Sequence, residues 1–258
     1  MSNPPRSPGT GSGRPVSGRL TGRIALVTGA GSGFGAGIAE RFAAEGAAVY
    51  VADINLEAAT RQAARIGAVA VQLDVRDAAS IRAALAEIEA PDILVNNAGI
   101  GHEPMPLESL SDDHFEQLFA VNMKSVYLLA KQLVPAMKRS GGVILNIAST
   151  AAVSPRPGLT WYNASKGWLV TATKSMAVEL APFGIRVNAL NPVAGETPLL
   201  ATFMGGDTPE HRARFLDSIP LGRFSTPADI AGAASFLCSD DASMITGVAL
   251  EVDGGRCV

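Results

Sequence analysis

From Arg23 onward the chain alternates two hydrophobic patterns. Short unbroken apolar runs such as "RIALVTG" and "AAVYVAD" lack polar alternation, so they predict strands buried on both faces. Between them, apolar positions recur at helical spacing in "GFGAGIAERFAAEG" and "NLEAATRQAARIG", and each stretch closes on a glycine that stops a helix. The rhythm continues. "AVAVQLDV" predicts a third strand, "DAASIRAALAEIEA" a third helix and "DILVNNAG" a fourth strand. A long helical stretch follows from about Ser111 to Arg139, then a strand in "GGVILNIAS", a helix after Tyr162 and a strand in "GIRVNALNP". A helical region near Thr226 to Cys238 and a last strand in "GVALEVDGG" complete the series. Apolar strands alternating with helices imply an α/β fold whose mostly parallel, seven-stranded sheet is covered on both faces, with right-handed crossovers.

Two segments break the pattern. "GETPLLATFMGGDTPEHRARFLDSIPLGRFS" is too long for an ordinary connection, so a substrate lid is expected at about 195–222. The opening "MSNPPRSPGTGSGRPVSG" is rich in Pro, Gly and Ser, and is expected to be a disordered tail over 1–18 ahead of one domain, 19–258. It lacks the apolar core of a secretory signal.

Composition narrows the function classes. Among 258 residues, 47% are hydrophobic, enough for a large core, and the net charge is -3. That charge offers no footprint for nucleic acid, and no apolar run reaches membrane-spanning length. Cys238 and Cys257 have no metal-ligand spacing and suit a reducing cytoplasm.

Candidate chemistry begins at "TGAGSGFG", Thr28 to Gly35, between the first strand and first helix. Glycines there let the backbone approach a ligand, and the free N–H groups at the helix start suit a pyrophosphate. Asp53 ends the second strand, where its carboxylate would accept hydrogen bonds from both ribose hydroxyls of an adenosine and repel a 2'-phosphate. Neither Ser32 nor Ile54, beside Asp53, supplies a cation for such a phosphate, so NAD is favoured over NADP. The competing reading is that Asp53 only caps the next helix through "DIN". Farther on, "WYNASKG" sets Tyr162 and Lys166 about one helical turn apart, on one face. They are either a solvated surface pair or a phenol made acidic by a neighbouring ammonium.

Taken together, "TGAGSGFG", "LDV", "NNAG", Asn122, Ser149, and Tyr162 with Lys166 resemble the short-chain dehydrogenase/reductase family over about Leu20 to Gly255. The resemblance implies a single doubly wound Rossmann domain. It also implies a phosphate turn of Gly29, Gly33 and Gly35, with Ser32 and Phe34 lending backbone contacts. Asp74 and Val75 match the family's adenine pocket, and Asn97, Ala98 and Gly99 match the segment beneath the cofactor. Asn122, Ser149, Tyr162 and Lys166 match its catalytic tetrad: Tyr162 as general acid/base, Ser149 on the substrate oxygen, Asn122 holding a relay water to Lys166. Pro192, Gly195 and Thr197 are expected near the nicotinamide, with one departure: Val193 stands where the family usually has glycine, a costly choice if φ there must be positive. The activity implied is NAD(H)-dependent interconversion of a secondary alcohol and a ketone. The alternatives are a 3-oxoacyl-carrier-protein reductase and a non-catalytic dinucleotide-binding regulator. The resemblance further implies a homotetramer through the long helices around Asn122 and after Tyr162.

Of the remaining residues, His102 and Glu103 either shape substrate polarity or sit in a solvated loop, the latter being favoured; His114 and His211 read as surface. No His, Cys and carboxylate grouping points to a metal. Leu159, Trp161, Phe203 and Met204 are candidates for an apolar pocket wall or for the core of the lid.

Overall fold

The computed structural model describes residues 18–258; the expected tail lies outside the described residues except for Gly18. Seven strands form one sheet: β1 (Ile24–Thr28), β2 (Ala48–Asp53), β3 (Val69–Gln72), β4 (Ile93–Asn96), β5 (Gly142–Ile147), β6 (Ile185–Pro192) and β7 (Ala249–Val252). Their order is β3-β2-β1-β4-β5-β6-β7, and every neighbouring pair is parallel. The "LDV" end of the third predicted strand leaves the sheet, with Leu73 N making a last backbone bond to Asp53 O at 2.9 Å. β3 stops at Gln72, and Leu73, Asp74 and Val75 turn away to line a cavity.

Period-two alternation explains why the strands read as unbroken apolar runs. Ala25 and Val27 of β1, Ile93 and Val95 of β4, and Val143 and Leu145 of β5 point into one core, with Ile38 and Phe42 of α1 (Gly33–Ala44) and Ile230 and Leu237 of α9 (Pro227–Cys238). Leu26, Leu94 and Ile144, from the same strands, point into the other core. They meet Leu129, Leu133 and Met137 of α5 (Ser125–Ser140), and Ala177 and Leu180 of α6 (Thr160–Leu180). The central strands are covered on both sides, so apolar residues dominate both of their faces.

α2 (Leu56–Ile66) and α3 (Ala78–Ala86) complete the first half of the fold. The long helical stretch expected from Ser111 is α4 (Asp112–Phe119), a single π turn at Ala120–Lys124, and α5. The segment expected to be a lid holds α7 (Leu200–Met204) and α8 (Pro209–Leu216), with a small core of its own from Val193, Leu200, Met204, Phe215, Ile219 and Phe224. The strand order reverses between β1 and β4, and there the carboxyl ends of the strands open a crevice suited to a ligand.

Candidate active site

A cavity of about 460 Å³ occupies that crevice. Every residue expected at the site lines it except Gly35 and Asn122. The glycine turn forms one end. Gly29 and Gly33 have φ of +61° and +55°, a region no non-glycine described residue adopts. Ser32 enters α1 in extended conformation without a side-chain cap bond, and the first turn of α1 has no acidic residue. Its free N–H groups therefore remain available to an anion. Gly35 is not part of the ligand wall. It is buried in α1, where a Cβ would come 2.4 Å from both Gly29 O and Asn97 Nδ2. Asn97 braces the turn, with Nδ2 donating to Thr28 O at 2.9 Å and to Gly29 O at 3.1 Å.

Asp53 reaches across from β2. Its carboxylate accepts from Gly31 N at 2.9 Å and Asn55 N at 3.0 Å. The cap of α2 is Asn55, which accepts from Ala58 N, so helix capping does not account for Asp53. Beyond it, Arg76 lines the same end and was missed from the sequence, although it lies two residues past Asp74. Its Nη2 pairs with Asp74 at 2.8 Å, and this hydrogen-bonded guanidinium holds the Asp74 carboxyl below its usual range. The glycine-turn backbone, the uncapped helix start and a carboxylate in the same cavity wall together fit a dinucleotide.

Tyr162 and Lys166 project from the start of α6 and are both buried, so they are not a solvated pair. Lys166 Nζ donates to Ile147 O at 2.9 Å and lies 5.8 Å from the Tyr162 ring centroid. The expected acidic phenol is not what the protein alone produces. Burial pushes Tyr162 up to about 12, opposed by a hydrogen bond with Ser149. Burial also pushes Lys166 down to about 8. Desolvation is the largest cause for both groups because both side chains are buried. Ser149 ends the β5 segment, its Oγ accepting from Ala151 N at 3.1 Å. Beneath, Asn146 Nδ2 donates to Thr173 Oγ1 at 2.8 Å while its Oδ1 accepts from Asn96 Nδ2 at 2.8 Å, tying α6 to β4 and β5.

Asn122 sits in the π turn, a distortion that recurs at functional sites. Its side chain does not face the cavity. Oδ1 accepts from Ile100 N at 2.9 Å, while Nδ2 donates to Ile100 O at 3.0 Å and Ser165 Oγ at 3.1 Å. It thereby fastens the segment after β4 to α6.

The opposite wall comes from β6 and the α7–α8 segment. Val193 is free of the conformational cost considered above: φ is not positive, and the side chain is buried in the small α7–α8 core. Gly195 is required by space instead, since a Cβ would meet Phe34 Cζ at 2.4 Å. Of the four apolar candidates, Leu159 and Phe203 line the cavity, and Phe203 packs on Tyr162 with ring centroids 4.8 Å apart. Trp161 instead donates Nε1 to Leu107 O at 2.9 Å, and Met204 points into the α7–α8 core. Phe215 and Arg156 also line the wall, unforeseen from sequence.

The histidines differ from expectation. His102 is buried, not solvated: its loop tucks under α4, Nδ1 lies 2.8 Å from Glu103 O, and its ring meets His114 edge-on at 5.9 Å. His114 is half-buried against Gly101 O, and His211 against Gly206 O. None of the three lines the cavity. Among the described residues no helix is long and apolar enough to cross a membrane.

The family model described as Enoyl-(Acyl carrier protein) reductase matches residues 29–256. The chain is 48% identical over 248 residues to 4-formylbenzenesulfonate dehydrogenase of Comamonas testosteroni, covering 92% of this chain and 98% of that one. It is 40% identical over 253 residues to galactitol 2-dehydrogenase of Agrobacterium fabrum, with the same coverage of 92% and 98%. A crystal structure of 3-ketoacyl-(acyl-carrier-protein) reductase from Brucella melitensis, complexed with NADH, superposes with a TM-score of 0.87 at 52% identity, covering 93% of this chain and all of that one.

Proposed function

The chain belongs to the short-chain dehydrogenase/reductase family and is an oxidoreductase of that family. From that premise we propose that it uses NAD(H) to interconvert a secondary alcohol and a ketone, with Tyr162 as general acid/base. The carrying observation is that Ser149, Tyr162 and Lys166 line the same cavity that begins at the glycine turn. Bound there, the nicotinamide supplies the redox step by accepting or giving hydride.

The side chains then have distinct tasks. Gly29, Ser32, Gly33 and Phe34 hold the pyrophosphate, Asp53 and Ile54 the adenosine ribose, Asp74 and Val75 the adenine. Asn97, Ala98, Gly99, Pro192, Gly195 and Thr197 flank the nicotinamide end. Asp53 favours NAD over NADP by repelling a 2'-phosphate. Ser149 donates to the substrate oxygen and holds it beside the Tyr162 hydroxyl. Tyr162 takes the alcohol proton in oxidation and returns one in reduction. Its phenol, up at about 12 from burial, must fall to act near neutral pH. A protonated Lys166 within 5.8 Å of its ring, and a positively charged nicotinamide, both act in that direction. Asn122 acts by holding the segment after β4 against α6 through Ile100 and Ser165.

Tyr162→Phe tests the reading, because it removes the hydroxyl and keeps the ring against Phe203. NADH affinity should be retained while turnover drops roughly a hundredfold or more. Near-normal turnover of an identified substrate would make Tyr162 and Lys166 mere helix neighbours.

A second reading, a 3-oxoacyl-carrier-protein reductase, is favoured by the name of the Brucella structure. Comparing an acyl-carrier thioester with free secondary alcohols, followed by NADH absorbance, separates the two. We further propose a homotetramer in the cytoplasm. Tyr127 on α5 and Val178 on α6 are exposed at 55% and 80%, as apolar residues at a subunit contact would be.

A further inference from the structure

Arg156 is a cation built into the substrate end of the cavity. Three contacts hold it. Asn163 Nδ2, next to Tyr162 on the first turn of α6, donates to Arg156 O at 2.9 Å and ties its loop to that turn. Its guanidinium lies 3.9 Å over the ring of Phe215, itself part of the cavity wall. Its Nη2 donates to Ser218 Oγ at 3.2 Å.

What it lacks is a counter-charge. Among the described residues no carboxylate comes within ion-pair distance of Arg156, although Arg19, Arg23, Arg41, Arg61, Arg65, Arg76, Arg212 and Arg223 each have one. The charge that acts on it most is another cation, Arg256. Arg256 is tied to Ser154 Oγ at 2.7 Å, and its buried Nε has no partner among the described residues. Asp253, close by in sequence, is spent on backbone: its carboxylate accepts from Gly255 N and Cys257 N. Burial first, then the repulsion of Arg256, lowers Arg156 to about 10, the mark of a guanidinium short of compensation. An arginine presents five donors in a fixed fork, and Arg156 uses one of them on protein side chains among the described residues. Among the described residues neither its Nε nor its Nη1 donates to the protein, and the residue lines the cavity.

We propose that Arg156 is the specificity residue for an anionic substrate. The cavity would take an alcohol or ketone carrying a carboxylate or sulfonate, separated from the reacting oxygen by an apolar or aromatic body. Ser149 and Tyr162 receive the reacting oxygen, Leu159, Phe203 and Phe215 the body, and the Arg156 fork the oxyanion. The assignment rests on the reading of this cavity as the site of alcohol–ketone interconversion.

Two pairs of compounds test it. 4-Methylbenzoate and 4-methylbenzamide share a shape, differ in charge and contain no ketone to reduce. In calorimetric titration of the full chain with NADH present, the benzoate should bind at least tenfold more tightly. Arg156→Met, which keeps an apolar stem over Phe215, should bring the two within about twofold, and Arg156→Lys should keep part of the preference. With 4-acetylbenzoate and 4-acetylbenzamide as ketones, the same ratio should appear in KM with kcat little changed. A benzoate preference that persists in Arg156→Met, or none in the wild type, overturns the assignment. So does an equal loss of both ligands with a lowered melting temperature, which would make Arg156 a clamp on Phe215. If neither ketone is reduced while the calorimetric preference follows Arg156, the anion site stands and the alcohol–ketone reading fails.

Discussion

Replacing Lys166 with Met should stabilise the cofactor-free protein while abolishing its turnover. Burial holds Lys166 at about 8 against 10.5 for the free side chain. Below about pH 8 the folded protein therefore carries a buried ammonium, at a cost of roughly 3 kcal/mol. Between about pH 8 and 10.5 the unfolded chain keeps a proton that the folded chain has released. The unfolded state binds more protons there, so wild-type stability rises with pH and the cost fades. Met removes the charge but also the donation from Nζ to Ile147 O, a loss of about 1–2 kcal/mol. The net gain at pH 7 is then about 1–2 kcal/mol, worth roughly 2–8 °C in a domain of this size. Melts of both proteins without NADH, followed by circular dichroism at pH 7 and pH 10, read it directly. The advantage of the variant should disappear or reverse at pH 10. Tyr162, up at about 12, stays protonated in the folded protein at both values and cancels in the difference. A variant that melts below wild type at pH 7, or a difference unchanged between the two pH values, would refute the reasoning.

Other substitutions probe the cradle. Asp53→Ala removes the carboxylate beside Gly31 and should cut the NADH-over-NADPH preference in kcat/KM at least tenfold, about 1.4 kcal/mol; a wild type that already prefers NADPH contradicts the reading of β2. Gly35→Ala drives a Cβ into Gly29 O and Asn97 Nδ2, so it should cost about 1–3 kcal/mol in stability and weaken NADH binding; unchanged affinity by fluorescence titration counts against the packing argument. Val193→Gly should lower stability by about 2 kcal/mol, since it empties part of the α7–α8 core and frees the unfolded backbone; a higher melting temperature would show that Val193 is strained after all.

Much of the site is legible because its spacing is local. The turn between Thr28 and Gly35 follows from glycines placed between a strand and a helix, and the shared face of Tyr162 and Lys166 follows from a four-residue interval. The same locality misleads at Gly35, whose position in the triplet resembles a ligand contact but whose role is to let α1 approach Asn97. It misleads at His102 as well. A polar residue after a glycine run reads as solvated, yet α4 covers it. Arg156 carries no local mark at all. Its meaning comes from Phe215 and Ser218, on a segment far along the chain.

By itself, then, the sequence determined the alternation of strands and helices, the parallel sheet covered on both faces, and the position of the glycine turn. Period and two-sided burial are set by backbone geometry and by the exclusion of water from apolar runs, and both are written residue by residue. Only the tertiary structure decided that Asn55 rather than Asp53 caps α2, that Val193 is a core residue, and that Tyr162 and Lys166 shift in opposite directions. It also decided that an arginine without a counter-charge shares their cavity. Desolvation and charge pairing depend on every group that packs around a side chain, and those groups come from segments that only the folded chain brings together.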